Sequence, residues 1–249
     1  MLVAATTACF PDLPLREAIE RLVDLEYTHV DIAIRDDSVD LTPERIVAEP
    51  DRAAAILHNR LRTDVIDLDF ASAAEGETYL AQFKALCRLA KQAKVAVVTI
   101  ESAPRDMPFN EELERLKGLV SLAEVEGIRI RKKTQGGRHS EDPDTVELFC
   151  NNARGLGVTL DPSYYVCGPY RGRSLEAILP FVSHVLLRDT GKDKLHVRLG
   201  QGETDFNRLI HQLQKVKYQR ALAVDVPPTA ELDTASELRN MRLLLESLL

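Results

Sequence analysis

Basic residues occupy alternating positions in one otherwise strand-like segment of this 249-residue chain. The segment GIRIRKKTQGG places Arg129, Arg131 and Lys133 at every second position. Successive side chains of a β-strand point to opposite faces, so a strand here carries three cations on one face. Buried charges are tolerated only when they are paired and hydrogen-bonded. We therefore expect acidic residues on the neighbouring strands to face this cationic row.

Acidic residues stand at or near the ends of most of the other apolar segments. A single acid at such a place commonly marks only the point where the chain leaves the core. Several acids that converge on one rim predict a polar pocket instead, and an ion-pair network that replaces part of an apolar core. These acids are Asp31, Asp67 or Asp69, Glu101, Asp161, Asp189 and Asp225, of which Asp31, Asp67, Glu101 and Asp225 are expected to point inward together with the cations.

The elements that must position these residues alternate along the whole chain. Short apolar runs are followed by amphipathic segments about eight times, with no linker-like change in composition. Strands that alternate with helices predict a parallel sheet, and eight of them predict a closed barrel. We therefore predict a single (β/α)8 TIM-barrel domain over residues 1–249. An open doubly wound sheet is the alternative, but the glycine-rich fingerprint that often marks it is missing after the first strand.

The boundaries of the elements follow from the hydrophobic periodicity and from turn residues. A barrel enzyme carries its reactive groups at the carboxyl ends of the strands, where the acids of this chain stand. The predicted strands are 2–9, 28–34, 64–70, 94–101, 127–137, 157–163, 183–189 and 221–228. The predicted helices are 14–27, 43–60, 77–93, 110–127, a short helix within 140–155 capped by Ser140, 174–181, 205–217 and 231–249.

Composition excludes several classes of partner. A net charge of −7 argues against nucleic acid, because binding it requires a basic surface that replaces counterions. No apolar run reaches the length of a membrane span, and the segment MLVAATTACF lacks the basic start of a signal peptide. The cysteines at 9, 87, 150 and 167 show no close spacing, so we expect reduced thiols in a cytoplasmic protein.

Three segments carry a resemblance to a known family. GLGVTLDPSYYVCGP, SHVLLRDT, and HVRLGQGETDF followed by ALAVD resemble the second half of the xylose isomerase-like barrels. These are sugar and sugar phosphate isomerases and epimerases that share their fold with endonuclease IV. The resemblance extends over essentially the whole chain and is strongest from Gly127 to Asp225. It implies a TIM barrel and a small sugar or sugar phosphate as the partner.

In that family, four side chains on strands five to eight typically hold a divalent metal, which stabilises the enediolate charge. The resemblance places the ligand of strand six at Asp161 and the ligand of strand eight at Asp225. The ligand of strand five falls on Lys133 and the histidine of strand seven falls on Leu186. The family histidine that follows strand six becomes Tyr164. Because two ligands are replaced, we predict that the chain uses no metal cofactor.

Lys133 is predicted to take the place of the metal as a fixed positive charge. In this hypothesis its ammonium pairs with Asp161 and Asp225, and the three residues are the catalytic candidates. An alternative makes Lys133 a base or a Schiff-base nucleophile, with its pKa lowered by Arg131. The nearby acids oppose that alternative, since they favour the charged form of the lysine.

The resemblance also implies that the loop RDTGKDKLHVRLGQGETDF lines a substrate site. Arg198 in this loop is either a clamp for phosphate or carboxylate, or the partner of a rim acid such as Glu203 or Asp205. His196 is a possible general base or second-metal ligand, or a structural histidine. His184 begins its strand and is expected at the bottom of the barrel. The substrate-binding candidates are Glu101, Tyr164, Arg188, Asp189, His196 and Arg198.

Three functions are compatible with these residues. The first is a barrel that binds or converts a small hydroxylated or phosphorylated metabolite without the divalent metal. The second is a catalytically inactive barrel with a binding or interaction role. The third is a conventional metal-dependent sugar isomerase or epimerase. Nucleic acid and membrane are not expected partners, and the sequence gives no oligomeric state.

Overall fold

Eight parallel strands form a closed barrel in sequence order, which confirms the predicted (β/α)8 TIM barrel. The structure is a computed structural model that describes residues 1–58, without the side chain of His58, and residues 63–249. The last strand pairs with the first in parallel, and this contact closes the sheet. The strands are β1 (Leu2–Thr6), β2 (His29–Ile34), β3 (Asp64–Phe70), β4 (Val97–Ile100), β5 (Arg129–Lys133), β6 (Gly157–Leu160), β7 (Val182–Leu187) and β8 (Ala221–Val224).

Helices cover the outside of the barrel, and the main apolar core lies between them and the outward faces of the strands. Ile32 of β2 and Phe70 of β3, for example, are buried in one cluster with helical residues such as Phe83 and Leu86. The helices are α1 (Leu15–Asp24), α2 (Pro43–Ala48), α3 (Pro50–His58), α4 (Gly76–Gln92), α5 (Phe109–Val125), α6 (Pro143–Asn152), α7 (Ser163–Val166), α8 (Phe206–Lys215) and α9 (Thr234–Leu248).

The single helix predicted over 43–60 is two helices, α2 and α3. The break lies at Glu49, whose φ of −132° and ψ of 60° are not helical. Proline disfavours the helical conformation of the residue before it and provides no N–H donor, so Pro50 begins a new helix. The end predicted at Arg60 lies outside the described residues.

Three other local predictions are wrong. The helix predicted over 174–181 is only a 3₁₀ turn over Leu179–Phe181, since Pro180 would interrupt the backbone ladder of an α-helix. The first strand ends at Thr6, and a 3₁₀ turn over Thr7–Cys9 follows. Ser140 does not cap α6, because the side chain of Asp142 accepts the capping hydrogen bond from Asp144 N.

The interior of the barrel has an apolar part and a polar part. In the apolar part, Leu186 of β7 packs with alanines of β1 and β8. The polar part confirms the expected charges along β5 only in part, because Arg131 and Lys133 are buried whereas Arg129 is exposed at the start of the strand. The other interior polar residues are Asp31, Asp67, Thr99, Thr159 and His184, and each is at most 1% exposed.

Candidate functional site

Charged side chains meet at the carboxyl end of the barrel. Parallel strands all end on the same rim, so Asp69 near the end of β3 and Lys133 at the end of β5 lie beside the first residues after β2, β6, β7 and β8. The charged residues at these six places are Arg35, Asp69, Lys133, Asp161, Arg188 and Asp225, and together they are called the ionic rim.

Lys133 contacts an acid that the sequence did not assign to it. Its Nζ lies 3.0 Å from Asp69 Oδ2, and Arg35 Nη2 lies 2.5 Å from the same oxygen. Burial disfavours the charged carboxylate, but Arg35 and Lys133 together hold the pKa of Asp69 well below its usual range. The ammonium is likewise favoured, because the attraction of Asp69 outweighs burial and raises the pKa of Lys133. This charge state argues against Lys133 as a free-amine base or nucleophile.

The expected pairing of Lys133 with Asp161 and Asp225 is wrong. Arg188 pairs with both acids instead, and its Nη2 atom lies 2.6 Å from Asp161 Oδ2 and 2.7 Å from Asp225 Oδ2. Arg188 follows β7 in the same phase as Leu186, so its long side chain crosses the mouth towards both acids. Burial opposes the charge of Arg188, but Asp161 and then Asp225 raise its pKa.

Asp161 is held rigidly from the opposite side. Its Oδ1 atom accepts hydrogen bonds from Ser163 N at 3.0 Å and from Ser163 Oγ at 2.5 Å. Its backbone N–H donates to Thr134 Oγ1 at 2.7 Å. Asp161 is fully buried, whereas Asp225 is 8% exposed. Asp225 is therefore the carboxylate of this pair that faces the mouth.

Glu101 and Tyr164 lie at the border of the mouth. Glu101 accepts hydrogen bonds from Gln135 Nε2 at 2.9 Å and from Arg138 Nη2 at 3.4 Å, with 31% of its side chain exposed. The ring of Tyr164 lies against Gly136 so closely that a Cβ atom at position 136 would be 2.9 Å from it. Burial raises the pKa of Tyr164, and Asp161 adds to the effect. Tyr164 is therefore held as a neutral phenol beside the ionic rim.

Asp189 organises the loop after β7 and does not face the mouth. Its Oδ2 atom accepts hydrogen bonds from Gly200 N at 2.7 Å and from Gly202 N at 3.0 Å. A Cβ atom on Gly202 would lie only 2.0 Å from Asp189 Oδ1, so this turn requires glycine. The GQG turn that the sequence singled out is therefore a support for the loop.

The two other candidates in this loop differ in their exposure. Arg198 is 61% exposed, and its nearest acid is Glu237 at 3.9 Å, so the expected partners Glu203 and Asp205 are wrong. Glu203 instead pairs with Arg171. His196 is 5% exposed, and neither ring nitrogen bonds to a protein atom within 1–58 or 63–249. Burial lowers the pKa of His196, and the charge of Arg188 lowers it further.

The donor set at the mouth does not fit the metal centre that the resemblance implies. In the part of the chain that the structure describes, no three His, Cys, Asp or Glu side chains are grouped to hold a metal ion. The two carboxylates that the resemblance implies as metal ligands, Asp161 and Asp225, share one guanidinium nitrogen of Arg188. A guanidinium in contact with both carboxylates repels a divalent cation from that place. Leu186, which the resemblance places where a histidine ligand would lie, packs among alanines in the apolar part of the interior.

Sequence reasoning missed Arg35 and the role of Asp69. A signal for Arg35 was present, because it follows Asp31 and Ala33 at every second position along β2. The predicted strand ends at Ile34, one residue before Arg35. Arg35 also borders a groove of about 260 Å³ between the segments that follow β1 and β2. Other residues that line this groove are Thr7, Phe10, Leu13, Ala33 and Val39.

Comparisons with known proteins identify the fold. By sequence, the chain matches no described protein family and no curated protein. Among solved structures it is similar to a D-tagatose 3-epimerase-like protein, with 14% identity, a TM-score of 0.77, and 100% of this chain and 98% of that chain covered. No helix among the described residues is long and apolar enough to cross a membrane.

Two further solved structures have the same architecture. A xylose isomerase-like TIM barrel protein from Mycobacterium smegmatis, in complex with magnesium, has 14% identity and a TM-score of 0.77 over 100% of this chain and 98% of that chain. The 3-keto-D-glucoside 4-epimerase from E. coli has 12% identity and a TM-score of 0.75 over 99% of both chains. At such low identity these likenesses show the fold alone, a (β/α)8 TIM barrel that the chain shares with a xylose isomerase-like protein and with sugar epimerases.

Proposed function

We propose that the protein binds, and has the groups to convert, a small sugar or sugar phosphate at the ionic rim without a divalent metal. The observation that carries this proposal is Arg188, which places a permanent cation between Asp161 and Asp225. Some solved neighbours with this fold are sugar epimerases, and one contains magnesium. In this chain, Arg188 and Lys133 supply positive charge without a metal.

The rim offers both kinds of hydrogen-bonding group that a hydroxylated ligand needs. An ammonium has three N–H donors, and Lys133 gives one of them to Asp69. Asp225 has a second oxygen that is free to accept a hydroxyl proton, since Arg188 contacts only Oδ2. Fixed cations in a site of low dielectric stabilise the oxyanion of an enediolate. Lys133 and Arg188 are therefore proposed to hold that charge, and Asp225 to hold or move a proton.

The absence of a metal requirement is tested by calorimetry on chelator-stripped protein. We expect no binding of Mn²⁺, Mg²⁺ or Zn²⁺ to the natural chain, because Arg188 neutralises the two carboxylates. Arg188→Met removes this cation and is expected to create weak Mn²⁺ binding. Arg198→Met, an exposed arginine in the following loop, is the matched control and should bind no ion. One tightly bound ion per natural chain would contradict the proposal and favour a conventional metal-dependent isomerase.

Ligand binding is tested with a panel of neutral and phosphorylated sugars, again by calorimetry. For any sugar that binds, Lys133→Met is expected to reduce affinity about 10-fold to 100-fold, the usual effect of one charged hydrogen bond. Lys192→Met changes an exposed lysine of the loop after β7 and should leave affinity unchanged. If no member of the panel binds, the inactive barrel with an interaction role becomes the better reading. For a sugar that does bind, deuterium exchange at a sugar carbon distinguishes binding alone from turnover.

The cytoplasm is the proposed location. Support comes from the cysteines, because Cys9, Cys87 and Cys150 are buried free thiols and Cys167 is a partly exposed one. Free thiols persist in a reducing compartment. Cell fractionation followed by thiol labelling tests this location, and a predominantly exported pool would contradict it.

A further inference from the structure

A second polar cluster lies inside the barrel. Its members are Asp31, Asp67, Arg131 and His184, here called the interior quartet, and each is at most 3% exposed. His184 Nε2 lies 2.6 Å from Asp31 Oδ2. Arg131 Nη1 lies 3.8 Å from Asp67 Oδ1, too far for a direct hydrogen bond. The quartet lies on β2, β3, β5 and β7 and shares no residue with the ionic rim.

Every member of the interior quartet has hydrogen-bonding capacity left over. Within residues 1–58 and 63–249, five of its atoms have no protein partner, namely Asp31 Oδ1, Asp67 Oδ1, Arg131 Nε, Arg131 Nη1 and His184 Nδ1. Buried polar groups in folded proteins are nearly all hydrogen-bonded, to protein or to ordered water. Such a concentration of donors and acceptors without a protein partner requires a partner from solvent, either ordered water or another small molecule.

The types of these atoms decide the chemical class of the ligand. Arg131 has only donors to offer, whereas Asp31 and Asp67 offer carboxylate acceptors. An anion would be repelled by the two carboxylates, and a metal cation would be repelled by Arg131. Only a neutral molecule that both donates and accepts hydrogen bonds can satisfy the two kinds of atom at once.

We infer that the interior quartet is a binding site for water inside the barrel, where at least one molecule accepts from Arg131 and donates to Asp67. A buried water typically makes about three hydrogen bonds to groups that would otherwise be unpaired. Two atoms 3.8 Å apart can each be about 2.9 Å from the same water oxygen.

Small residues accompany the interior quartet around the barrel. A TIM barrel is usually filled by bulky branched side chains, but here Ala4, Ala221 and Ala223 occupy interior positions of β1 and β8. On β6, a Cβ atom at Gly157 would lie 2.9 Å from Ser183 Oγ and 3.4 Å from Arg131 Cγ. Glycine at position 157 therefore leaves room for the aliphatic part of Arg131. The alanines of β1 and β8 fill less of the interior than bulky side chains would.

The first test is a high-resolution crystal structure of the natural chain, grown once in chloride and once in bromide. We expect a density peak within about 3.2 Å of both Arg131 Nη1 and Asp67 Oδ1, with no anomalous signal in bromide. A bromide signal would overturn the inference, since it would show an anion site. A direct Arg131–Asp67 hydrogen bond with no peak would overturn it as well.

The second test counts long-lived waters in solution by oxygen-17 relaxation dispersion. Arg131→Met removes the donors, and the count is expected to fall by at least one. Arg129→Met changes an exposed arginine of the same strand and should keep the natural count. Equal counts in the natural chain and a folded Arg131→Met variant would refute the site. If Arg131→Met does not fold, the crystal structure of the natural chain alone decides.

Discussion

At the scale of single residues, the stability of the ionic rim depends on how many partners each charged group has. Asp69 accepts from two cations, whereas Arg188 donates to two acids. The six charges of the rim therefore balance as three positive and three negative groups. Removal of the shared group, Asp69 or Arg188, leaves two partners without their counter-ion, which commonly costs about 3–5 kcal/mol in a buried network.

Asp69→Asn is expected to lower the free energy of unfolding by about 3 kcal/mol at neutral pH, because it leaves Arg35 and Lys133 without their counter-ion. The pKa of Asp69 is depressed by these cations. Its contribution is therefore present above the ordinary aspartate pKa of about 4 and is lost as the pH falls through the lower folded value. The difference between variant and natural chain should shrink in acid.

Urea denaturation at pH 7 and at successively lower pH measures this difference. Asp64→Asn is the control, because Asp64 begins the same strand with 86% of its side chain exposed. A cost that stays constant down to the acid limit, or an equal cost in the control, would show that the ion pairs do not stabilise the rim.

At the scale of elements, β5 carries cations on both of its faces. Lys133 faces the mouth, whereas Lys132 points outward and is 1% exposed. Its Nζ lies 3.0 Å from Glu112 Oε1 of α5 and 3.6 Å from the ring centre of Phe149 of α6. The outward lysine thus ties the strand to two helices.

Lys132→Met is expected to cost little, about 1 kcal/mol, because Glu112 keeps its bond to Arg115. Burial lowers the pKa of Lys132 from 10.5 to about 8, although Glu112 opposes the shift. Between these two values the unfolded chain binds more protons, so the natural chain gains stability as the pH rises through this range. The variant lacks this gain. Thermal unfolding of both proteins at pH 8 and pH 10 measures this difference. An equal change in stability between the two pH values for both proteins would contradict the prediction.

The sequence predicted the strand β5 and the inward phase of its charges but not the partners of those charges. Parity along a strand gives the face to which a side chain points. It does not give the height at which that side chain meets its neighbours, because the strands of a barrel are tilted and staggered. Lys133 therefore meets Asp69 of β3, and Arg188 reaches Asp161 and Asp225. Lys132 and Glu112 meet only after the helix packs on the sheet.

At the scale of the whole molecule, the alternation of strands and helices was enough to predict the closed barrel and its order. The open alternative failed because all eight strands pair with their neighbours in sequence, including β8 with β1. Local errors fell where proline or a short polar cap decides the backbone, as at Pro50 and Asp142. The sequence also placed Asp161 and Asp225 at the carboxyl end of the barrel, where the structure has them, because that placement depends only on strand direction.

The whole chain has a net charge of −7, whereas the charges of the ionic rim balance one another. A sugar phosphate is then repelled over long distances and attracted only on contact. We expect its affinity to rise about two-fold as salt increases from 10 to 150 mM, since salt screens the distant charges more than the buried ones. The affinity of the matching neutral sugar should not change. Calorimetry at both salt concentrations measures this, and a phosphate affinity that falls steeply with salt would indicate a basic pocket instead.

The bridge of Arg188 between two acids also limits how this barrel can evolve. A single substitution of Asp161, Arg188 or Asp225 leaves at least one charge of the bridge without full compensation. Exchange of Arg188 alone leaves Asp161 and Asp225 without their shared cation, so the first step towards a metal ligand at this mouth lowers stability. The charges of Asp161, Arg188 and Asp225 are therefore tolerated only as a complete set, and selection for stability removes chains that carry part of it.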